Sequence, residues 1–285
     1  MRILKKILLI FILVIVLLLL LLFLNDKANQ NVKVTRYTYA DEEIPSAFDN
    51  SKIMVISDLH DAPFSEEIIE HIKTEKPDYV VMTGDMVQLP DSSADNTLKI
   101  VDAAVKMNIP VYAVSGNHDR QCGKYDEILD NLWAHGAYML EYDSVRLHKD
   151  GESIVLMGIQ DPKHNVVTEE KIEAIQGNIK YQLSRRKEYF TVLLSHRADL
   201  YPQIKNTGVD LILSGHIHGG IVRLPFVGGI VERNRKISLS VDYEYGVYKE
   251  GESATMIVSA GCDKNPQKRR FFNPPEVLLI TLKGE

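Results

Sequence analysis

The chain has 285 residues, of which 45% are apolar and 25% charged, and it contains two cysteines. This composition is ordinary for a globular domain and excludes a disordered chain, a collagen-like repeat and a disulfide-rich scaffold. Beyond residue 27, 29 basic residues stand against 38 acidic ones. Such an acidic balance argues against a protein that wraps nucleic acid, but it permits a small anionic substrate at one locally positive site.

The amino-terminal part of the chain contains one candidate membrane span. A short basic tail over residues 1–6 precedes Ile7–Leu24, an 18-residue run without a polar side chain. As a helix this run is about 27 Å long, enough to cross a bilayer core. It is longer than a cleavable signal sequence and no small-residue cleavage pattern follows it, so we predict a retained single span rather than a cleaved signal peptide. No second run approaches this length, which excludes a multi-spanning protein.

The rest of the chain is predicted to be one catalytic domain behind this anchor. Residues 25–31 are polar and predict a short tether, and residues 32–285 contain no Pro- or Gly-rich linker after residue 50. Basic residues flank both ends of the span, so the positive-inside signal is weak. The short tail before the span and the long domain after it favour a single-pass protein of the cell membrane with its domain outside the cytoplasm.

Short apolar runs alternate with amphipathic stretches from residue 32 onward. After an alternating strand at Val32–Tyr39, runs rich in β-branched residues predict strands buried on both faces at Ile53–Ile56, Tyr79–Met82, Val111–Val114, Val192–Leu194, Leu211–Leu213 and Met256–Val258. Helices are predicted at Ser65–Lys73, Ala94–Met107, Tyr125–His135, Thr168–Arg186 and Leu200–Asn206. This alternation indicates an α/β fold, in which ligands bind at the carboxyl ends of the strands.

Five of these strands end in polar segments that together hold five of the nine histidines. The segments are Asp58-Leu59-His60, Gly84-Asp85, Gly116-Asn117-His118-Asp119, Ser195-His196 and Gly215-His216-Ile217-His218. In extended backbone, residues i and i+2 point to the same side, so Asp58 and His60 are expected to offer two ligands to one point. The same expectation holds for His216 and His218.

The candidate metal ligands are carboxylates, imidazoles and one amide, without a thiolate: Asp58, His60, Asp85, Asn117, His196, His216 and His218. Such donors suit manganese, iron, zinc or cobalt better than a sulfur-ligated structural zinc. They are too many for one tetrahedral ion but fit two ions that share a carboxylate and bind a bridging hydroxide as nucleophile. Gly84, Gly116 and Gly215 would let the backbone approach the ions closely.

Each of these residues also has an ordinary structural interpretation when it is taken alone. Asp58, Asp85 and Asn117 are residue types that are common in turns after strands. His196 follows an apolar run and is typical of a core histidine. The metal-site hypothesis depends on the joint occurrence of all five segments, which the structural interpretation does not explain.

The five segments, in this order, resemble the signature of the calcineurin-like metallophosphoesterase superfamily: D-x-H, G-D, G-N-H-[DE], a lone H and G-H-x-H. The intervals are 27, 32, 79 and 20 residues, counted from Asp58 to Asp85, Asn117, His196 and His216. Within this superfamily the chain more closely resembles a bacterial subgroup of membrane-associated phosphoesterases. It rests on Ser57-Asp58-Leu59-His60, on residues 215–220 and on Arg223-Leu224-Pro225. The resemblance covers roughly residues 34–285.

This resemblance implies a four-layer α/β/β/α sandwich of two mixed sheets that holds two divalent metal ions. The implied ligands are Asp58, His60 and His218 for the first ion, Asn117, His196 and His216 for the second, and Asp85 as the bridge. His118 would contact the substrate as an acid or a charge stabiliser, and Asp119 would orient it. Manganese is the expected metal, with iron, zinc, cobalt or magnesium as alternatives.

The resemblance further implies a phosphodiester or related phosphoester substrate. This substrate is either small or, as the predicted membrane span suggests, lipid-linked, including nucleotide-sugar lipids as in related enzymes. Asn117, His118 and Arg223 are the expected substrate contacts. The alternatives are a phosphomonoesterase or nuclease of the same superfamily, and a non-catalytic scaffold, which would be expected to have lost ligands. Nucleic acid is not an expected partner, and a monomer is expected.

Four further features keep two interpretations each. Cys122 and Cys262 are expected to be packed thiols, with a disulfide as the alternative. Residues 221–230 form either a substrate-contacting rim or an ordinary β-hairpin. The basic residues of the segment 264–272 either are solvated or face anionic lipid: Lys264, Lys268, Arg269 and Arg270. The histidines outside the five segments are assigned to the surface or to packing: His71, His135, His148 and His164.

Overall fold

Strands and helices alternate along the chain as the apolar runs predict. The structure, a computed structural model, describes residues 2–89, 93–163, 167–186, 189–224, 227–230, 242–264 and 270–284. The strands are β1 (Lys33–Ala40), β2 (Lys52–Ile56), β3 (Tyr79–Met82), β4 (Val111–Ala113), β5 (Ala137–Met139), β6 (Ser144–Lys149), β7 (Glu152–Gly158), β8 (Thr191–Arg197), β9 (Leu211–Gly215), β10 (Arg223–Leu224), β11 (Gly228–Gly229), β12 (Gly246–Tyr248), β13 (Thr255–Val258) and β14 (Glu276–Lys283). The helices are α1 (Arg2–Ala28), α2 (Ser65–Glu75), α3 (Asp95–Lys106), α4 (Asn117–Gln121), α5 (Tyr125–Ala134), α6 (Glu169–Ser184) and α7 (Tyr201–Ile204). Every strand and helix predicted beyond residue 31 is present, with its ends within three residues of the prediction.

Twelve of the strands form two mixed sheets of six strands each. The first sheet has the order β1-β14-β2-β3-β4-β5, and only its β14–β2 pair is antiparallel. The second has the order β12-β13-β9-β8-β7-β6, with antiparallel pairs at its two edges and parallel pairs inside. Strands β10 and β11 pair as a short hairpin, in agreement with the hairpin interpretation of residues 221–230. Pro225 lies outside the described residues.

Three apolar layers hold the sandwich together. In β2, Ile53 and Val55 belong to the core between the two sheets, whereas Met54 and Ile56 pack under the helices, as the twofold period of a strand requires. Helices α2, α3 and α5 cover the first sheet, and α6 and α7 cover the second. Each fully buried side chain of this kind contributes about 1.5–3 kcal/mol through the hydrophobic effect. The four-layer α/β/β/α fold is therefore confirmed.

Helix α1 is the one helix of the described ranges that is long and apolar enough to cross a membrane, with a mean hydropathy of 3.9 over 18 residues. It continues to Ala28, four residues beyond the predicted span. Residues 25–28 of the predicted tether are thus helical. The buried Asn25 donates to the backbone oxygen of Arg270 at 2.9 Å and accepts from the backbone N–H of Phe272 at 2.8 Å. The end of the helix thus contacts the domain directly.

The carboxyl ends of the central strands of both sheets meet at one edge of the sandwich. The segment after β2 receives a hydrogen bond from the segment after β13, since the Cys262 N–H donates to the Ser57 oxygen at 3.0 Å. His196, near the end of β8, contacts the Thr83 oxygen just beyond β3 at 2.8 Å. The polar segments that the sequence places at separate strand ends therefore share one site.

Candidate metal centre

Two groups of buried histidines and aspartates lie at this edge. Asp58, His60 and His218 form the first group, and their ligand atoms all lie within 4.8 Å of one another. Asp85, His196 and His216 form the second group under the same limit. The first sheet supplies Asp58, His60 and Asp85 from the segments after β2 and β3, whereas the second sheet supplies the other three from β8 and the turn after β9. Each group therefore spans both sheets.

The first group contains buried ligand atoms without hydrogen-bond partners. Oδ1 of Asp58 and Nε2 of His218 lie 3.4 Å apart, and neither has a hydrogen-bond partner among the described residues. A buried polar atom without a partner costs about 1–3 kcal/mol, so such atoms are expected to be satisfied by a bound species. A divalent cation fits both atoms, because each offers a lone pair.

The second group is arranged by a backbone contact on its outer side. Nδ1 of His196 lies 2.8 Å from the Thr83 oxygen, and it donates there when it carries the proton. Nε2 of His196 then faces the interior, 3.4 Å from Oδ2 of Asp85 and 3.0 Å from Nδ1 of His216. An imidazole whose outer nitrogen is held in this way is the usual arrangement of a histidine metal ligand.

Asp85 lies between the two groups. Its Oδ2 atom is 3.6 Å from Nε2 of His60, which belongs to the first group. His60, Asp85 and His118 also form a third set of ligand atoms within 4.8 Å of one another. Asn117 is buried beside Asp85, because the N–H of the adjacent His118 donates to Oδ1 of Asp85 at 2.7 Å. The structure thus brings together all seven residues that the sequence predicts as ligands.

The backbone at these positions is not extended, which corrects one prediction. Positive φ angles occur at Asp58 (50°), His60 (48°), Asp85 (55°), His216 (77°) and His218 (54°). Asp and His tolerate this left-handed region better than most residues, but each such position still costs about 1–3 kcal/mol. Left-handed turns, rather than the alternation of a strand, therefore aim these side chains. As a result His216 and His218 belong to different ligand groups, whereas the sequence predicted that both would offer a ligand to the same point.

Two glycines permit the close approach that the sequence predicts for them. A Cβ atom on Gly215 would lie 1.9 Å from the Ser57 hydroxyl oxygen and 2.4 Å from Oδ2 of Asp58. A Cβ atom on Gly116 would lie 2.3 Å from Oδ1 of Asp85. Both distances are far inside van der Waals contact, so a larger residue at either position would displace a carboxylate of the centre.

Charges within the centre hold its carboxylates ionised. Burial opposes the ionisation of Asp58, but the imidazoles of His218 and His196 outweigh it and lower the pKa. Burial also opposes the ionisation of Asp85, yet His196 and His60 hold its pKa well below the ordinary value. Burial disfavours the charged form of His196, but the Asp85 carboxylate raises its pKa to about 10. In the absence of metal the two carboxylates thus retain a proton on His196, which a divalent ion would replace.

Asp119 supports the loops of the centre. Its carboxylate accepts hydrogen bonds from the backbone N–H groups of Asp85 (2.8 Å), Val87 (3.0 Å) and Gly116 (2.8 Å). Burial and the nearby Asp85 carboxylate raise the pKa of Asp119 to about 7. These contacts join the segments after β3 and β4; the orientation of His118 by Asp119 stays a prediction.

A buried ion pair behind His218 was not predicted from the sequence. Oδ1 of Asp263 lies 3.2 Å from Nδ1 of His218, and Nε of Arg270 donates to the same oxygen at 2.8 Å. Burial opposes the ionisation of Asp263, but Arg270 and His218 hold its pKa well below the ordinary value. Asp263 lies in the segment after the predicted strand Met256–Val258, which is β13. Its position after the end of a buried strand, like that of the predicted ligands, could have identified it from the sequence. Arg270 is buried, which overturns both interpretations of it as a solvated or lipid-facing residue.

The other predicted residues lie at the rim or away from the centre. Arg223 donates to the Gly219 oxygen, pairs with Glu244 at 3.2 Å and stacks on Tyr245. Its substrate contact stays a prediction.

The histidines outside the five segments make ordinary contacts as expected where the structure describes them: His71 with Val32, His135 with Asp102, and His148 with Ser153. Cys122 and Cys262 form no disulfide, in agreement with the expectation of two thiols. Lys268, Arg269 and His164 lie outside the described residues.

A four-layer sandwich with buried histidine and aspartate groups at its shared edge is the architecture of a metallophosphoesterase. A profile of the calcineurin-like phosphoesterase family matches residues 51–220. The chain therefore belongs to this family and is a metal-dependent phosphoesterase, which confirms the resemblance inferred from its motifs.

Individual relatives extend the match along most of the chain. An uncharacterized metallophosphoesterase of Aquifex aeolicus is 30% identical over 269 residues, which cover 89% of this chain and 93% of the relative. The phosphodiesterase YaeI of Escherichia coli is 27% identical over 185 residues, covering 62% of this chain and 64% of the relative. The crystal structure of TT1561 of Thermus thermophilus has a TM-score of 0.50 at 12% identity, covers 74% of this chain and 90% of its own, and is similar in fold.

The Asp263→Asn substitution is expected to weaken metal binding without unfolding the protein. It removes the negative charge that orients His218, and loss of such a contact behind a histidine ligand typically lowers metal affinity about 10- to 100-fold. Metal affinity is measured by competition with a chromogenic chelator. Asp102→Asn is the matched control, because Asp102 contacts His135 at 2.7 Å away from the centre. Equal metal affinity of the two variants would contradict the role of Asp263.

Proposed function

We propose that the protein is a membrane-anchored phosphodiesterase with a binuclear divalent metal centre. The observation that carries this proposal is the arrangement of two His/Asp groups that meet at Asp85. Asp58, His60 and His218 would hold one ion, Asn117, His196 and His216 the second, and Asp85 would bridge them. Two ions so held would supply a nucleophile from water at neutral pH and polarise the phosphoryl oxygens.

The donor set supports the proposed choice of metals. It consists of carboxylate, imidazole and one amide oxygen, which suit manganese, iron, zinc and cobalt. The nearby Cys262 is a poor ligand, because burial raises the pKa of its thiol. Manganese is proposed for at least one position, with magnesium as the weaker alternative because it favours oxygen ligands.

His118 is proposed as the residue that acts on the substrate. Its ring lies 4.5 Å from that of His60, and its side chain is partly exposed. From there its imidazole can protonate the departing oxygen or stabilise charge on the phosphoryl group. The neutral amide of Asn117 keeps the ligand charge low, so that the loaded centre would attract a phosphate.

A phosphodiester is the proposed substrate class, and a lipid-linked phosphoester is its specific form. The name of the relative YaeI, a phosphodiesterase, supports the first part. Helix α1 supports the second, because its end contacts the domain at residues 270–272, and the segment at 271 pairs with Val222 just beyond His218. If α1 crosses a bilayer, residues 270–272 lie close to the membrane surface.

Asp85→Ala and His216→Ala are each expected to abolish hydrolysis of bis(4-nitrophenyl) phosphate in the manganese-loaded protein. Asp85 contributes to both ions in the proposed arrangement, so its variant should lose both, whereas His216→Ala should lose one. Activity is measured by nitrophenolate release and metal content by plasma mass spectrometry. Asp102→Ala and His135→Ala are the matched controls outside the centre. Full activity of both centre variants refutes the proposal, and faster hydrolysis of 4-nitrophenyl phosphate than of the diester identifies a phosphomonoesterase instead.

His118→Ala is expected to keep its metal and lose turnover. General acid–base catalysis contributes about 100- to 10,000-fold to a rate, so kcat should fall by at least the lower of these factors. Metal content and kcat are measured on the same preparation. A His118→Ala protein that has lost metal would mean that His118 is a ligand and not a residue that acts on the substrate.

The full chain is expected to stay in the membrane fraction after an alkaline carbonate wash, because an 18-residue apolar helix is released only by detergent. A variant without residues 1–24 should be soluble and should retain metal. Protease added to intact cells should degrade the domain if it lies outside the cytoplasm. Release of the full chain by carbonate would contradict the anchor.

A further inference from the structure

A cavity of about 300 Å³ is lined by three cationic side chains. The side chains of Arg120, Lys163 and Lys171 line it, together with Tyr142 and Gln160. No carboxylate occurs among the described residues that line this cavity. A cluster of three cations stands out on a chain whose formal net charge is −6.

The cavity adjoins the centre through two elements that also carry site residues. Arg120 belongs to α4, the helix that begins with Asn117 and His118. Gln160 follows β7, the parallel neighbour of β8, and the N–H of Ile159 donates to the Leu194 oxygen at 3.1 Å, two residues before His196. Neighbouring strands lie about 4.8 Å apart, so this wall of the cavity is one strand away from a candidate ligand.

The three cations have no carboxylate partner within ion-pair distance in the described part of the chain. Arg120 donates to the main-chain oxygen of Asp161, and its buried Nε has no hydrogen-bond partner among the described residues. The ammonium of Lys171 donates to the Pro162 oxygen at 2.8 Å. The Lys163 side chain is exposed. Like charges gathered in this way repel one another, and an anion between them removes that repulsion.

We propose that this cavity binds a second phosphate group of the substrate while the ester to be hydrolysed lies at the metal centre. The guanidinium of Arg120 offers planar paired donors and the two lysines offer mobile point charges, a combination suited to phosphate oxygens. This inference rests on the proposed function and narrows it. The substrate is a phosphoester that carries another phosphate in the same molecule, so a substrate with one phosphate leaves the cavity unfilled.

The test compares two substrates that differ by one phosphate. They are thymidine 5′-(4-nitrophenyl phosphate) and the same compound with a 3′-phosphate, and both release nitrophenolate. The full-length protein should show the higher kcat/KM for the phosphorylated compound, mainly through a lower KM. Lys163→Gln/Lys171→Gln should reduce this preference about tenfold and leave kinetics on the other compound unchanged. Equal kcat/KM for the two substrates in the unmodified protein overturns the proposal.

A matched control separates the cavity from general electrostatics. Lys106→Gln/Lys180→Gln removes the same charge at exposed helix positions outside the cavity and should keep the preference. An equal loss in this control, or an equal loss on both substrates in the cavity variant, overturns the proposal.

Failure of the proposed function has a different outcome, in which the unmodified protein hydrolyses neither compound. In that case the affinity of the EDTA-treated protein for thymidine 3′,5′-bisphosphate is measured by calorimetry. Binding that is about tenfold weaker in Lys163→Gln/Lys171→Gln supports the phosphate site, and equal affinity overturns it.

Discussion

The carboxyl group of Asp58 links the two sheets through one of its oxygens and offers the other to the metal centre. Its Oδ2 atom accepts from the Ser57 hydroxyl at 2.6 Å and from the backbone N–H of His216 at 3.0 Å, which belongs to the other sheet. Its Oδ1 atom faces His218. The same group that fixes the turn after β9 is thus the group offered to a cation. Fold and centre therefore depend on each other, since neither sheet alone orients this carboxylate.

The burial of apolar side chains around the centre offsets the free-energy cost of its left-handed backbone and buried charges. Left-handed backbone at five Asp and His positions and buried carboxylates close to one another are each unfavourable on their own. They persist because the strands that lead into them are buried on both faces, from Ile53 in β2 to Leu213 in β9. The rigid sandwich fixes the positions of the strand ends, and the turns then have little freedom to relax. A bound cation would offset the charge part of this cost.

Much of this arrangement was predictable from the sequence, and the exceptions have physical reasons. Motifs at the ends of buried strands identified all the residues of the two groups, because parallel strands bring their carboxyl ends together whatever lies between them. Turn geometry was not predictable: Asp58 and His216 are residue types that tolerate positive φ, but residue type alone does not determine that they adopt it. Asp263 was missed because its importance comes from a contact with His218 across 45 residues of chain. The continuation of α1 through residues 25–28 was not predictable, because the polar Asn25 is buried against a distant backbone segment.

The contacts of the glycines in the centre determine where related proteins can diverge. Gly116 and Gly215 press backbone directly against Asp85 and Asp58, so the floor of the centre has no room for even one added methyl group. The side chains of Lys163 and Lys171, which line the neighbouring cavity, are at least partly exposed and are free of this restriction. A new specificity is therefore expected to be engineered by exchanging such side chains while the glycines of the floor are kept. Chemistry and selectivity are thus separable properties of this scaffold.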